Sequence, residues 1–144
     1  WMPLPRATLY GLGENVHIAV WPGSVHNTKD ITRFIARESR SYAISVSTLL
    51  NRNQIPDSVP HVETLKKALP EVLSNGGSCV AGPDGEWLME PVADEEGIFY
   101  QELNLNRVRE ERQNFDPSGH YSRPDVTSLQ VNRKRQSVIT IHDE

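Results

Sequence analysis

The first 24 residues, WMPLPRATLYGLGENVHIAVWPGS, limit the possible folds of this chain most strongly. The two prolines among the first five residues fit a helix only in its first turn, where an amide donor would be unpaired in any case. Gly13 is a typical residue at the end of such a helix. Apolar side chains alternate over residues 16–20 and predict a buried strand. The Trp-Pro-Gly-Ser turn at 21–24 ends that strand, because proline donates no amide to a sheet.

A second helix and a second strand follow. Asn27 or Thr28 is a suitable N-terminal cap for the helix, and the apolar residues between 31 and 35 recur at helical spacing. Residues 42–50 alternate in polarity and predict the next strand. The order helix, strand, helix, strand is typical of an α/β fold.

The middle of the chain predicts a loop, a short helix and a hairpin. Residues 51–60 are rich in Asn, Pro, Asp and Ser and predict an irregular loop. Apolar residues at helical spacing over 62–73 predict a short or bent helix, because Pro70 interrupts the pattern, and Gly76-Gly77 would end it. The Gly-Pro-Asp-Gly run at 82–85 predicts a hairpin.

The last third of the chain predicts further strands around one charged helix. The expected elements are a strand over 98–103, a helix over 104–114, a loop over 116–124 and late strands over 126–131 and 138–141.

Charge and cysteine content narrow the class of protein. With 15 Lys plus Arg and 19 Asp plus Glu, the net charge of −4 argues against a nucleic-acid or anionic-membrane binder. No apolar run approaches the length of a membrane helix. The single cysteine, Cys79, excludes an internal disulfide and fits a reducing compartment, so we expect a cytoplasmic protein.

Several blocks resemble the nitrilase branch of the carbon–nitrogen hydrolase superfamily. The opening stretch 1–24 is one of them, and the run Gly-His-Tyr-Ser-Arg-Pro-Asp-Val at 119–126 is the most specific. The other matching blocks are residues 33–38, 76–86 and 96–105. Because the blocks follow the family order along nearly the whole chain, chance similarity is improbable.

The resemblance implies a fold and a position within it. The family fold is a four-layer α-β-β-α sandwich, and residues 1–144 would be the C-terminal portion of that single domain. Residues 51–75 would then be a surface insertion and residues 127–144 a C-terminal tail.

The resemblance also implies an activity whose catalytic residues lie outside this chain. In the family, a segment like 1–24 follows a Cys-Trp-Glu-Asn run that holds the nucleophile, so the Cys and the family's Glu and Lys map before Trp1. The intact enzyme would convert a nitrile to a carboxylic acid and ammonia without metal or cofactor, and this chain alone would be inactive. The alternatives are a catalytically silent truncated relative that acts in oligomer assembly, and an amidase of the same superfamily.

The sequence leaves open which nitrile or amide is used, and whether the chain is a natural truncation or an incomplete sequence. The expected partners are a small nitrile or amide substrate and further copies of the protein in a homo-oligomer or filament. The resemblance places subunit contacts on the helices within 3–13 and 30–40, with 60–75 and the segment after Val126 as further candidates.

The candidate site residues fall into two groups. Trp21, Pro22 and Ser24 leave the first strand at the carboxyl end of the sheet and are candidates for the substrate pocket, although Trp21 is equally suited to filling the core. Cys79 has no acid or His beside it in the sequence, which favours a buried structural thiol over a second nucleophile.

A second group is expected to be structural or to lie at an interface. Glu38 is predicted to pair with an arginine on its own helix. His120, Tyr121 and Arg123 stand in a loop flanked by glycine and proline, where a role in locking the loop or in an interface is favoured over catalysis.

Overall fold

The protein structure is a computed structural model that describes residues 1–139. In chain order its elements are α1 (Pro3–Gly11), β1 (Val16–Trp21), α2 (Val25–Ser39), β2 (Tyr42–Ser47), β3 (Leu49–Asn51), a 3-10 turn (Arg52–Gln54), α3 (Val62–Ala68), β4 (Val72–Ala81), β5 (Trp87–Ala93) and α4 (Asn106–Asn114).

The five strands form one mixed sheet in the order β1-β2-β4-β3, with β5 also paired to β4. β1 and β2 are parallel and are joined through α2, whereas β2, β3 and β5 all run antiparallel to β4. A parallel pair connected by a helix is the basic unit of an α/β sheet. The predicted α/β class and the hairpin around residues 82–85 are therefore confirmed.

One face of the sheet is covered by α2. The buried apolar residues between them form a single cluster of Ile31, Ile35, Ala36, Ala43 and Ala81, with Trp21 and Trp87 at its margin. The alanines let the helix approach the strands closely, since they add little side-chain volume.

The opposite face of the sheet is apolar and exposed in this chain. Ile18 is 67% exposed, Val20 is 80% exposed and Val46 is 49% exposed. The prediction that the first strand is buried is therefore wrong for its apolar side, because β1 turns His17 and Trp21 toward the helices and its large aliphatic residues away. The alternation was correctly identified, but the buried side was not.

Residues 42–50 form two strands instead of the single one predicted. β2 ends at Ser47 and β3 begins at Leu49, and the two strands pair with different parts of β4. Between those parts, Gly76 and Gly77 adopt positive φ values of 88° and 102°. A Cβ at Gly77 would lie 2.8 Å from Val25 Cα, so this irregularity in β4 requires glycine.

The prediction that Gly76 and Gly77 end a helix is wrong. Helix α3 ends at Ala68, before Pro70, and β4 begins at Val72. Asn51 pairs with Val72, so residues 52–71 stand outside the sheet between two paired strands. That residues 51–75 are an insertion relative to other family members stays a prediction.

Helix α2 begins at Val25, earlier than the predicted cap at Asn27 or Thr28. The preceding Ser24 has a φ of 76° and makes no capping hydrogen bond with its side chain. Instead the Val25 amide donates to Asn75 Oδ1 at 3.1 Å. The cap is thus supplied by β4, a long-range contact that local sequence patterns do not reveal.

Two of the strands predicted for the last third of the chain are absent. Residues 98–103 and 126–131 form no strand, Val138 and Ile139 are also outside any strand, and the rest of the predicted strand over 138–141 lies outside the described residues. Residues Ile98 and Phe99 instead lie over the exposed face of the sheet, where they line a cavity of about 300 Å³ with Val46 and Val80. Alternating polarity predicts a side-chain pattern but does not supply the neighbouring strand that a ladder requires.

Candidate functional site

Trp21 ends β1 at the edge where the carboxyl ends of the parallel strands β1 and β2 meet. Its indole is half-buried against the core cluster, and Nε1 donates a hydrogen bond to Ser45 Oγ at 3.0 Å. The ring also meets Trp1 edge-to-face, with 5.9 Å between the ring centroids. Trp21 therefore contacts the core and also the first residue of the chain.

The turn after Trp21 is fixed by close backbone packing. Gly23 has a φ of 140°, and a Cβ there would lie 1.6 Å from Ser74 Oγ. Pro22 is exposed and Ser24 half-buried. The structure thus brings the three predicted pocket residues to one end of the sheet, on a turn that tolerates little change. Whether substrate contacts them stays a prediction.

Behind Trp21 lies a buried polar network that the sequence analysis missed. Ser45 Oγ is 2.6 Å from Thr32 Oγ1, which in turn donates to the Thr28 carbonyl at 2.6 Å. All three residues are almost completely buried. The one available signal was the small polar residue at 45 on the strand face opposite Ile44 and Val46, a pattern that also fits an ordinary solvent-facing position.

Cys79 belongs to the same buried layer. The thiol is fully buried and donates to Thr32 Oγ1 at 3.5 Å. Burial raises the pKa of the Cys79 thiol, and the hydroxyls around it offset only part of that shift. A nucleophilic cysteine needs exposure and a lowered pKa, so the interpretation of Cys79 as a buried thiol is confirmed.

Glu38 pairs with α1, not with an arginine of its own helix as predicted. One carboxylate oxygen accepts a hydrogen bond from Tyr10 Oη at 2.8 Å and from Arg6 Nη2 at 3.2 Å. The Arg6 guanidinium also lies over the Phe34 ring, 5.6 Å from its centroid. Glu38 thus pairs with an arginine of the neighbouring helix and not with the arginines that are nearer to it in the sequence.

His120, Tyr121 and Arg123 form a second group in the signature loop, which we define as residues 119–126. All three are exposed. Arg123 forms an ion pair of 2.6 Å with Asp125, and its guanidinium lowers the pKa of that carboxyl. The Tyr121 ring lies tilted against Phe115, with 4.8 Å between centroids, and against His120, with 5.0 Å.

The signature loop lies beside the first half of α1. A cavity of about 620 Å³ separates Tyr121 and Arg123 from Leu4 and Ala7. Within residues 1–139, no hydrogen bond, ion pair or aromatic contact links this loop to the group at Trp21. The structure therefore places the candidate residues in two separate groups.

Residues 1–139 contain neither a candidate metal centre nor a membrane-spanning helix. No group of three or more His, Cys, Asp or Glu side chains in this range is arranged to hold a metal ion. Each helix described there is too short or too polar to span a bilayer.

Known nitrilases match this chain over most of its length. An aliphatic nitrilase of Rhodococcus rhodochrous is 33% identical, and the match covers 96% of this chain but 39% of that protein. An arylacetonitrilase of Aspergillus kawachii is 33% identical over 90% of this chain and 42% of its own length. A bromoxynil-specific nitrilase of Klebsiella pneumoniae subsp. ozaenae is 31% identical over 95% and 41%. The chain thus spans about two fifths of the length of these relatives.

Comparison of structures agrees with the sequence matches. A carbon–nitrogen hydrolase from Helicobacter pylori G27 superposes with a TM-score of 0.63 at 20% identity, covering 87% of this chain and 43% of that one. This likeness shows the fold. No protein-family profile matches the chain. On the sequence matches and the shared fold, the chain belongs to the nitrilase branch of the carbon–nitrogen hydrolase superfamily, of whose members it matches the C-terminal part.

Proposed function

We propose that this chain is the C-terminal half of a nitrilase, an enzyme that hydrolyses a nitrile to a carboxylic acid and ammonia. The observation that carries the proposal is the 31–33% identity to an aliphatic nitrilase, an arylacetonitrilase and a bromoxynil-specific nitrilase, along at least 90% of the chain. The rest of the enzyme would come from a segment that precedes Trp1 in the intact protein.

The exposed face of the sheet supports the proposal that a preceding segment supplies the other half of the enzyme. Ile18, Val20 and Val46 present large aliphatic side chains on the side of the sheet away from α2. Burying one such side chain contributes roughly 1.5–3 kcal/mol, so a face of this kind is costly to leave in water. A second sheet packed on it would complete the α-β-β-α sandwich that the family resemblance implies.

The catalytic groups of the proposed enzyme lie outside residues 1–144. Cys79, the single cysteine of this sequence, is buried between the sheet and α2, and burial raises the pKa of its thiol. The nucleophilic Cys, the Glu base and the Lys of the family would therefore be supplied by the preceding segment. Within residues 1–139 no strand pairs with the outer edge of β1, and this edge is open to the strand that would carry the nucleophile.

The reaction follows the general logic of covalent catalysis. The Cys thiolate adds to the nitrile carbon to give a thioimidate, and water then displaces ammonia to leave a thioester. A second water hydrolyses the thioester, which releases the acid and restores the thiol. Dividing one difficult addition into these steps lowers each barrier.

This chain would contribute one wall of the substrate pocket. The Trp21 ring contacts Trp1, and the family resemblance would place Trp1 just after the nucleophile motif. Trp21, Pro22 and Ser24 would therefore lie within reach of a substrate held on the nucleophile. The nitrilase-like signature loop favours nitriles over amides, without selecting one nitrile.

We further propose that the intact protein is a cytoplasmic homo-oligomer. The outer surface of α1 and α2 carries exposed apolar side chains, among them Leu4, Leu9 and Phe34. Exposed apolar patches on neighbouring helices are typical of subunit contacts. A reducing compartment suits an enzyme that depends on a free thiolate.

Ammonia release by the protein of the complete reading frame tests the proposal. We expect turnover of an aromatic or an aliphatic nitrile, loss of turnover when the Cys of the preceding Cys-Trp-Glu-Asn motif is replaced by alanine, and no turnover by residues 1–144 alone. Turnover of the matching amides but not of nitriles would favour an amidase. Absence of the Cys motif upstream, or full activity of residues 1–144, would refute the proposal.

A further inference from the structure

The buried hydroxyls behind Trp21 have only one consistent order of donors and acceptors. The Thr28 carbonyl can only accept, so Thr32 must direct its single hydroxyl proton to it over 2.6 Å. Thr32 Oγ1 is then left with lone pairs for its other neighbour. The proton in the 2.6 Å contact between Ser45 and Thr32 must therefore belong to Ser45.

This order determines what Ser45 can offer to the indole. Because its proton is used on Thr32, Ser45 Oγ meets Trp21 Nε1 with a lone pair, as the donating indole N–H requires. The relay runs from the Trp21 N–H through Ser45 and Thr32 to the Thr28 carbonyl. Ser45 touches both the indole and the helix, so removing its hydroxyl leaves the Trp21 N–H without this acceptor, while Thr32 still donates to Thr28 and accepts from Cys79.

The relay holds the indole ring of Trp21 at its nitrogen, Nε1. The rest of the ring lies at the end of the sheet and is not held by this hydrogen bond. Ser45 lies on β2, 2% exposed, and holds the nitrogen side of the ring against α2. The same ring meets Trp1 at 5.9 Å, on the side where the chain enters the fold. A rotation of the indole about its side-chain torsions would therefore change the space beside Trp1.

We propose that Ser45 is a positioning residue that sets the substrate selectivity of the enzyme by fixing the Trp21 indole through its 3.0 Å hydrogen bond. The selectivity part of this inference depends on the proposed nitrilase function and on Trp21 lining the pocket. The anchoring of the indole depends on neither.

The matched variants are Ser45→Ala and Ser41→Ala in the full-length protein. Ser41 is also fully buried, but its hydroxyl contacts Ser39 Oγ at 2.5 Å instead of Trp21, Ser45 or Thr32. Ser41→Ala therefore controls for the loss of a buried hydroxyl. Ser45→Cys keeps a side chain of similar shape with a weaker acceptor, and it serves as the second variant if Ser45→Ala folds poorly.

The first measurement is hydrogen exchange of the three tryptophan indole N–H groups by NMR, with Trp21→Phe used to assign the Trp21 signal. Loss of one hydrogen bond corresponds to about a tenfold change in an opening equilibrium. We expect Ser45→Ala to accelerate exchange of the Trp21 indole about tenfold, Ser45→Cys to have a smaller effect, and Ser41→Ala to leave it unchanged. Unchanged exchange in Ser45→Ala would overturn the anchoring.

The second measurement is the ratio of kcat/KM for an aromatic and an aliphatic nitrile. A change in pocket shape of the size of one methylene alters such ratios about tenfold or more. We expect that shift in Ser45→Ala and no shift in Ser41→Ala. An accelerated indole exchange with an unchanged ratio would overturn the selectivity role. If the unmodified protein hydrolyses no nitrile, the proposed function and the selectivity role fail together, while the exchange experiment still decides the anchoring.

Discussion

Tyr10 of α1 donates a hydrogen bond of 2.8 Å to Glu38 of α2, and this contact joins the two helices. Tyr10 is the buried residue of α1. Arg6 donates to the same carboxylate and also to the Tyr10 hydroxyl, at 3.1 Å. A single acidic side chain thus accepts from both polar groups with which α1 reaches its neighbour, so the position of α1 depends on Glu38.

Replacing Glu38 by alanine should loosen α1. Hydrogen bonds to charged groups contribute about 1.5–3 kcal/mol, and because Glu38 is 36% exposed, solvent screening should bring the loss below that range, to about 1 kcal/mol. Urea unfolding of the full-length protein measures the loss, and amide exchange should localise it to α1. Glu86→Ala is the control, since the Arg33–Glu86 pair is 3.4 Å long and Glu86 is 72% exposed. Equal losses for the two variants would contradict the argument.

The buried phenol of Tyr10 predicts a loss of stability in alkali. Burial, together with the neighbouring Glu38 carboxylate, raises the pKa of Tyr10 well above its ordinary value. The folded state therefore keeps the proton more tightly than the unfolded state does. The contribution of Tyr10 to the free energy of unfolding is fully present below a pH of about 10, where an unfolded tyrosine ionises. It declines as the pH rises further.

The variant Tyr10→Phe tests this pH dependence. It cannot ionise, so its stability should fall less steeply above a pH of about 10 than that of the unmodified protein. The difference in tyrosinate absorbance between the two proteins should appear late, together with unfolding. If that difference appears at the ordinary pH of tyrosine ionisation in the folded protein, the phenol is not held as described.

The sequence predicted local features well where one residue type allows one conformation. Pro3–Gly11 forms a helix with prolines in its first turn, and Gly13 follows at a φ of 78°. The Gly-Pro-Asp-Gly turn forms the expected hairpin between β4 and β5. In each case steric restriction within a few residues decides the conformation.

Features that depend on a distant partner were not predictable. The start of α2 is capped by Asn75, fifty residues away, and Glu38 accepts from α1 instead of its own helix. The predicted burial of the apolar side of β1 was wrong for a related reason. Alternation shows that Val20 and Trp21 face opposite sides, but which side is covered depends on what packs there. The Trp21–Ser45 contact joins two strands, and its one signal in the sequence, a small polar residue at 45, fits a solvent-facing position equally well.

The turn at Gly23 should not tolerate any side chain. In Gly23→Ala the new Cβ would lie 1.6 Å from Ser74 Oγ and 2.4 Å from Ser74 Cβ, at a φ of 140°. We expect a loss of at least about 3 kcal/mol, because overpacking and backbone strain add. Gly11→Ala is the matched control: nothing lies within 4 Å of its Cβ, and alanine favours a helix by about 0.5–1 kcal/mol. Similar denaturation midpoints for both variants would show that the turn is not packed in this way.

Cys79 should be inert in the folded protein and dispensable for turnover. Its thiol is buried and has a raised pKa, so an alkylating reagent should modify it more than about a hundredfold faster after unfolding. In Cys79→Ser the hydroxyl can still donate to Thr32, and we expect the full-length enzyme to keep its activity within a few-fold. If the unmodified full-length protein hydrolyses a nitrile and a folded Cys79→Ser protein does not, the inert role of Cys79 is refuted.

The exposed face of the sheet gives the most direct test of the two-sheet arrangement. Ile18 and Val20 project from β1 on the side away from the helices, so lysine at both positions costs little in residues 1–144 alone. We expect this double variant to make the isolated chain less prone to self-association, measured by light scattering and by binding of a hydrophobic dye.

In the full-length protein the same double variant should have the opposite effect. A second sheet on this face would bury two unpaired charges, at a cost of several kcal/mol each, so folding yield and turnover should both collapse. Val138→Lys is the control, because Val138 is fully exposed, and it should change neither protein. Normal folding of the full-length double variant would show that no second sheet covers Ile18 and Val20, and the sandwich would have to be abandoned.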